Sequence, residues 1–240
     1  MTRATVIFVG PTLPAAEVAR RAPGAEVRGP AAVGDVLRLA RSRRVSRIAI
    51  IDGYFERMAA VWHKEILVAM ERGIAVWGAA SMGALRAAEL APFGMIGVGT
   101  IFRAFAAGRL VADDEVAVAH LPAEYAYAPT SDALVDLRAG LDRAAITDRT
   151  RDALIALARA RFYRERSWAQ LVADGREAGL PQRQLDAVAA WRAAHPKYSR
   201  KAEDARLLLR RMASTRSRAG RTIVVPRTWA LRQLEADLAR

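Results

Sequence analysis

The sequence predicts an α/β fold: a Rossmann-like parallel sheet with flanking helices, followed by an all-α C-terminal domain. Three observations predict it. Short β-branched runs alternate with helically spaced segments up to about residue 120, the strongest runs end at glycine, and strand signals fade from residue 131 onward. A chain of 240 residues, 52% of them hydrophobic, is long enough to bury a substantial core.

The elements follow in order. Residues 5–9 (TVIFV) form an apolar run that stops at Gly10-Pro11, and residues 14–21 read as a helix with proline in its first turn. Residues 25–28 are a short strand candidate, residues 33–40 have helical spacing, and residues 47–51 (RIAII) read as a buried strand ending at Asp52-Gly53. Residues 61–70 read as a helix, 74–77 as a strand and 82–90 as a helix. Residues 116–118 are expected to add a strand ending near His120. Beyond residue 131 come a helix capped by Thr147 or Asp148, a Ser167-Trp-Ala-Gln170 capping box, and a helix from Gly179-Leu-Pro181 to Pro196. Helices over 199–212 and 227–240, joined by an extended link at 224–226, complete the chain. The expected division is an α/β domain at 1–128 and a basic helical domain at 129–240.

Composition excludes several kinds of chemistry. With no cysteine there is no disulfide, no thiolate metal site and no cysteine nucleophile. The three histidines, His63, His120 and His195, are far apart in sequence, so no metal is expected, and no cofactor fingerprint of the Gly-rich phosphate kind is present. Asp113-Asp114-Glu115 is an acidic stretch that could bind Mg²⁺, although such loops are mostly just hydrated. No apolar run reaches the ~18 residues of a membrane span. The N-terminus reads as a first strand rather than a leader, so a cytoplasmic location is expected. The formal net charge is +13, and residues 141–240 carry 22 Lys/Arg against 11 Asp/Glu. This asymmetry points to an acidic partner for the C-terminal half. A nucleic-acid role for the stretch from Lys197 to Arg227, with ten Lys/Arg, ranks last because no base-stacking pattern accompanies it.

In open parallel sheets, ligands bind at the carboxyl ends of the strands. That rule gathers Thr12, Asp52, Ser81 and His120 at one edge. Ala79-Ala-Ser81-Met-Gly83 resembles a nucleophile elbow with alanine first, and the N–H groups of Met82 and Gly83 are expected to hold an anion or oxyanion. The plainer alternative is that Ser81 caps the helix. His63, spaced with Ile66, Leu67 and Met70, is expected to face the sheet as general base or to be a buried structural histidine. Asp52 would orient a base or cap a turn. Arg86 and Glu89, three residues apart, can pair on one helix face, and Arg86 can reach an acidic group.

The motifs IFVGPTL, IDGYFE, HKEIL, WGAASMGALRAAEL, GMIGVG and DDEVAVAH, in this order, resemble TfuA-like proteins, with KAEDARLLL as the best match in the helical half. The resemblance implies a partner of YcaO enzymes, which use ATP to convert a backbone amide of a precursor peptide into a thioamide. It further implies hydrolysis of the C-terminal thiocarboxylate of a ThiS-like ubiquitin-fold carrier to supply sulfide. Ser81 and His63 match motif positions, as do Asp52, Arg86, Glu89 and His120. Where the family commonly has a second serine, this chain has Ala80. Lacking cysteine, the chain cannot relay sulfur as a persulfide, which suits a hydrolytic release. The alternative is a non-catalytic adaptor that docks on the YcaO enzyme or presents its peptide.

Overall fold

A computed structural model describes residues 4–42, 44–55, 58–215 and 223–239. Within them the strands are β1 (Ala4–Phe8), β2 (Glu26–Arg28), β3 (Val45–Ile50), β4 (Ala75–Ala79) and β5 (Ile96–Val98). They form one sheet in the order β2-β1-β3-β4-β5, and every neighbouring pair is parallel. The helices of this part are α1 (Ala15–Arg21), α2 (Asp35–Arg41), α3 (His63–Glu71), α4 (Met82–Leu90) and α5 (Thr100–Ala106). The expected α/β class and parallel sheet are therefore found.

The central strands are apolar on both sides because helices cover both faces. Val6, Phe8, Ile48, Ile50 and Val76 turn toward α2, α3 and α4, where Leu37, Ile66, Met82 and Ala87 join the same buried core. One expected strand is absent. Residues 116–118 follow a 3₁₀ turn at Asp113–Glu115 and pair with no strand, although Val116 and Ala117 are buried. The sheet is completed instead by β5, whose Ile96 lies beside Trp77. Its three residues are too few and too glycine-rich to stand out in the sequence. Gly97 is required there, since a Cβ would lie 2.1 Å from the Phe102 ring.

The chain's contacts divide it into two units. The first holds the residues up to Val111 together with those from Glu203 onward, and the second is Ala112–Ala202. The stretches 1–128 and 129–240 expected from the pattern of strands and helices follow sequence order, whereas this grouping follows contacts. The second unit contains α6 (Leu134–Leu141), α7 (Asp148–Ala160), α8 (Trp168–Glu177) and α9 (Gln182–Ala194). Their core is Leu134, Leu137, Leu154, Trp168, Leu171, Leu185 and Val188. Thr147 and Ser167 cap α7 and α8 as their sequences suggest.

Two further helices, α10 (Arg200–Ser214) and α11 (Trp229–Asp237), follow. From Glu203 onward they belong to the α/β unit for specific reasons. Asp204 is only 3% exposed. Its carboxylate accepts from the Thr100 and Ile101 amides at 2.9 and 2.8 Å, capping the start of α5. Arg206 forms a two-point ion pair with Glu17 of α1. Glu71 at the end of α3 takes the Val225 amide and the Arg227 guanidinium. Leu231 of α11 enters the sheet's core. Among the described residues no helix is long and apolar enough to cross a membrane.

Candidate functional site

The turn from β4 into α4 is set by close packing. A Cβ on Gly78 would lie 2.1 Å from the Gly83 carbonyl oxygen, and one on Gly83 only 1.7 Å from the Ile50 carbonyl oxygen. Ala80 is held at φ 67°, a left-handed conformation that costs a non-glycine residue energy and often marks a functional turn. Ser81 follows it and is 3% exposed. Its side chain makes no capping bond to α4, so the plain cap expected of this serine is not formed.

One other expectation at this turn is corrected. The Gly83 amide donates to the Ile51 carbonyl at 3.3 Å, because the helix start lies directly against β3, and it is not spare for an oxyanion. Met82 is 2% exposed and part of the apolar core, its side chain against Gly53.

Asp52, at the end of β3, is 1% exposed. One carboxylate oxygen accepts from the Gly10 and Thr12 amides at 2.8 and 3.1 Å, and the other from the Thr12 hydroxyl at 2.6 Å. Asp52 thus fastens the β1–α1 loop to the next strand. Thr12 and Asp52 are brought together as the strand-end rule implies. With both oxygens spent in this way, Asp52 orients a loop rather than a base.

His63, Arg86 and Glu89 form one cluster. His63 Nε2 lies 2.7 Å from Glu89 Oε2, and a terminal nitrogen of Arg86 donates to the same oxygen at 2.9 Å. Arg86 Nε also donates to the Val61 carbonyl at 3.0 Å, which holds the chain just ahead of His63. The side chains of His63 and Glu89 are 46% and 37% exposed. The expectation that His63 faces the sheet is therefore corrected. It is the first residue of α3, at the exposed rim, and the buried face begins two residues later.

That buried face starts with Glu65, a residue the sequence reading missed. Fully buried, it accepts from the Trp62 amide at 2.7 Å and from the Gly34, Val36 and Leu37 amides at the start of α2. Burial raises its pKa, and these amide hydrogen bonds oppose the rise. The glutamate three residues into a helix is a local signal for the Trp62 contact. Nothing local signals the bonds to α2.

His120 does not end a strand of the sheet. It lies in the second unit, where Nδ1 contacts the Leu121 carbonyl at 2.8 Å and the ring packs edge-to-face on Tyr127. The acidic stretch beside it is paired with arginine. Glu115 accepts both ends of the Arg138 guanidinium, and Asp114 pairs with Arg166, which is buried.

With this geometry established, a family model described as TfuA-like protein matches residues 52–167. That interval contains Asp52, His63, Ser81, Arg86, Glu89 and His120. No curated protein matches the chain.

Proposed function

We propose, from the match of residues 52–167 to a TfuA-like family model, that the chain acts with a YcaO enzyme in backbone thioamidation and supplies sulfide to it. On this reading it hydrolyses the C-terminal thiocarboxylate of a ThiS-like carrier protein. The observation that carries the proposal is the exposed His63–Glu89–Arg86 cluster on the motif positions. With its proton on Nε2, His63 donates to Glu89 and keeps a lone pair on Nδ1 for general-base work. Glu89 stabilises the imidazolium that forms, and Arg86 holds Glu89 and fixes the start of α3.

In the proposed step, water gives a proton to His63 while its oxygen bonds to the thiocarboxylate carbon. The carbon–sulfur bond then breaks, sulfur leaves with the electron pair, and His63 returns the proton to it. The immediate products are the carboxylic acid and hydrosulfide, and transfer of the acid's proton to hydrosulfide leaves carboxylate and hydrogen sulfide, with charge unchanged. Arg86 supplies positive charge beside the anion. The contrast between exposed His63 and buried Ser81 favours activated water over attack by the serine. In this reading Ser81, with Thr12 and Asp52, has a structural part at the ends of the strands.

The test is sulfide released from a thiocarboxylated ThiS-like carrier, measured beside melting curves. His63→Ala should lower the rate about 10²-fold or more, and Glu89→Gln should lower it by a smaller factor, both with little change in stability. A loss confined to Ser81→Ala would instead assign the attack to the serine. Wild-type rates in all three variants would leave the protein as a non-catalytic adaptor that docks on the YcaO enzyme or presents the precursor peptide.

A further inference from the structure

The positive charge does not lie where the sequence suggested. The second unit, residues 112–202, holds 14 Lys/Arg against 13 Asp/Glu, and the rest of the chain holds 24 against 12. The helical unit is nearly neutral and the α/β unit carries almost the whole surplus.

Within the α/β unit the topology concentrates that surplus. In a parallel sheet each crossover helix runs back against its strand, so helix ends collect at the amino edge of the sheet. Arginines occupy those ends: Arg20 and Arg21 on α1, Arg38 and Arg41 on α2, and Arg210 and Arg211 on α10. Arg44 and Arg47 add to them at the start of β3, and all but Arg47 are exposed. Helix dipoles favour a cation at each such end. Some of these arginines are already paired, Arg21 with Glu17 and Arg38 with Asp35, and Glu17 and Glu71 also take Arg206 and Arg227.

A cavity of about 310 Å³ opens at this edge between β1, β3, the end of α1 and α10. Its lining is mixed: Ala22, Pro23, Ala25 and Ala213 give it apolar surface over the buried Ile7, Leu209 and Met212, and Arg21 and Arg47 give it polar surface. Arg47 donates through Nε to the Thr5 hydroxyl and through one terminal nitrogen to the Met212 carbonyl. Its other terminal nitrogen makes no hydrogen bond among the described residues. Arg21 spends Nε on Glu17, leaving its terminal nitrogens likewise.

We propose that this basic amino edge, on the opposite side of the sheet from the candidate site, docks an acidic segment of a partner protein, whose glutamate side chain enters the cavity. An aliphatic stem against Pro23 and Ala213 with a carboxylate beside the Arg21 and Arg47 guanidiniums matches the lining in charge. Nucleic acid fits less well: a phosphodiester backbone does not enter so small a cavity, and among the described residues no aromatic side chain lines it for base stacking. The inference does not depend on the hydrolysis reading.

The experiment uses the full chain and a fluorescent peptide of roughly ten glutamates, followed by anisotropy at low and high salt. The rim variant Arg44→Glu/Arg210→Glu/Arg211→Glu should weaken binding about tenfold or more. A control with the same charge change on the second unit, Arg149→Glu/Arg176→Glu/Arg183→Glu, should leave it nearly unaltered. Ala213→Trp, on the cavity lining, should weaken binding without changing charge, while all variants keep the wild-type melting curve. Equal losses from rim and control, or no loss from Ala213→Trp, would reduce the effect to diffuse attraction and overturn the proposal. Binding of a DNA duplex with the same rim dependence, and none of the peptide, would also overturn it. Sulfide release should be unchanged in every variant, so failure here is distinct from failure of the hydrolysis reading.

Discussion

Adding one methyl group at Gly83 would put a carbon 1.7 Å from the Ile50 carbonyl oxygen, in a place where both partners are backbone and neither can swing aside. Gly83→Ala should therefore destabilise the α/β unit by more than about 3 kcal/mol, seen as a lowered denaturation midpoint. A normal midpoint would mean that α4 is able to lift off β3. This changes how the motif around Ser81 reads. Its glycines let helix and strand touch, and the same contact consumes an amide that the sequence alone leaves available for an oxyanion. Asp52 was legible as important because it ends a buried strand before Gly53. Its partners, 40 and 42 residues away, were not, since no local spacing encodes which loop a strand-end carboxylate will hold. His63 was misread through its helical spacing with Ile66 and Met70, a pattern that does not apply to the first residue of a helix. Glu65 was hidden for the opposite reason: a glutamate in a first turn looks solvated, and only the packing of α3 on α2 buries it.

Among elements, β1, β3 and β4 were readable because strands buried on both faces keep an unbroken apolar run. β5 has no such run and depends on pairing with β4. The ends of the α/β unit were the least readable, because α10 joins α1 and α5 across long sequence separations. One of those joints titrates. Arg206, with Arg21, holds Glu17 from its ordinary 4.5 down to about 2. As pH falls, the unfolded chain then takes up this proton before the folded one does. The joint's contribution is whole above about 4.5 and is lost as pH falls toward about 2. Glu17→Gln should accordingly lower stability at neutral pH, and its difference from wild type should shrink through that window. Denaturant midpoints measured at several pH values test this, and a difference that stays constant down to the acid end would show that the ion pair contributes nothing. Arg206 is for the same reason a poor choice for probing partner binding, since its replacement disturbs the fold.

At the scale of the whole molecule, the alternating pattern of the first half was enough to give the parallel sheet and the meeting of Thr12 with Asp52 at its carboxyl edge. Composition was a weaker guide to where charge and contacts fall, because Lys/Arg counts along a chain ignore which segments return to an earlier layer. Residues from Glu203 onward do return, and Asp204 caps a helix that begins 104 residues earlier. During synthesis this imposes an order of events. Residues 112–202 can leave the ribosome and fold before the α/β unit has its last pieces, while Thr100 and Ile101 wait uncapped and the buried Leu208 and Leu209 are still inside the exit tunnel. A nascent chain stalled with residue 202 just outside the exit tunnel should show a protease-resistant second unit and a protease-sensitive sheet. Release of the remaining residues should close the sheet without any new contact in the part already folded. Full protection of the sheet in the stalled chain would show that α10 arrives as an ornament. Otherwise the strands of the α/β unit stay exposed until the residues from Glu203 onward emerge, the stage at which a chaperone would have most to bind.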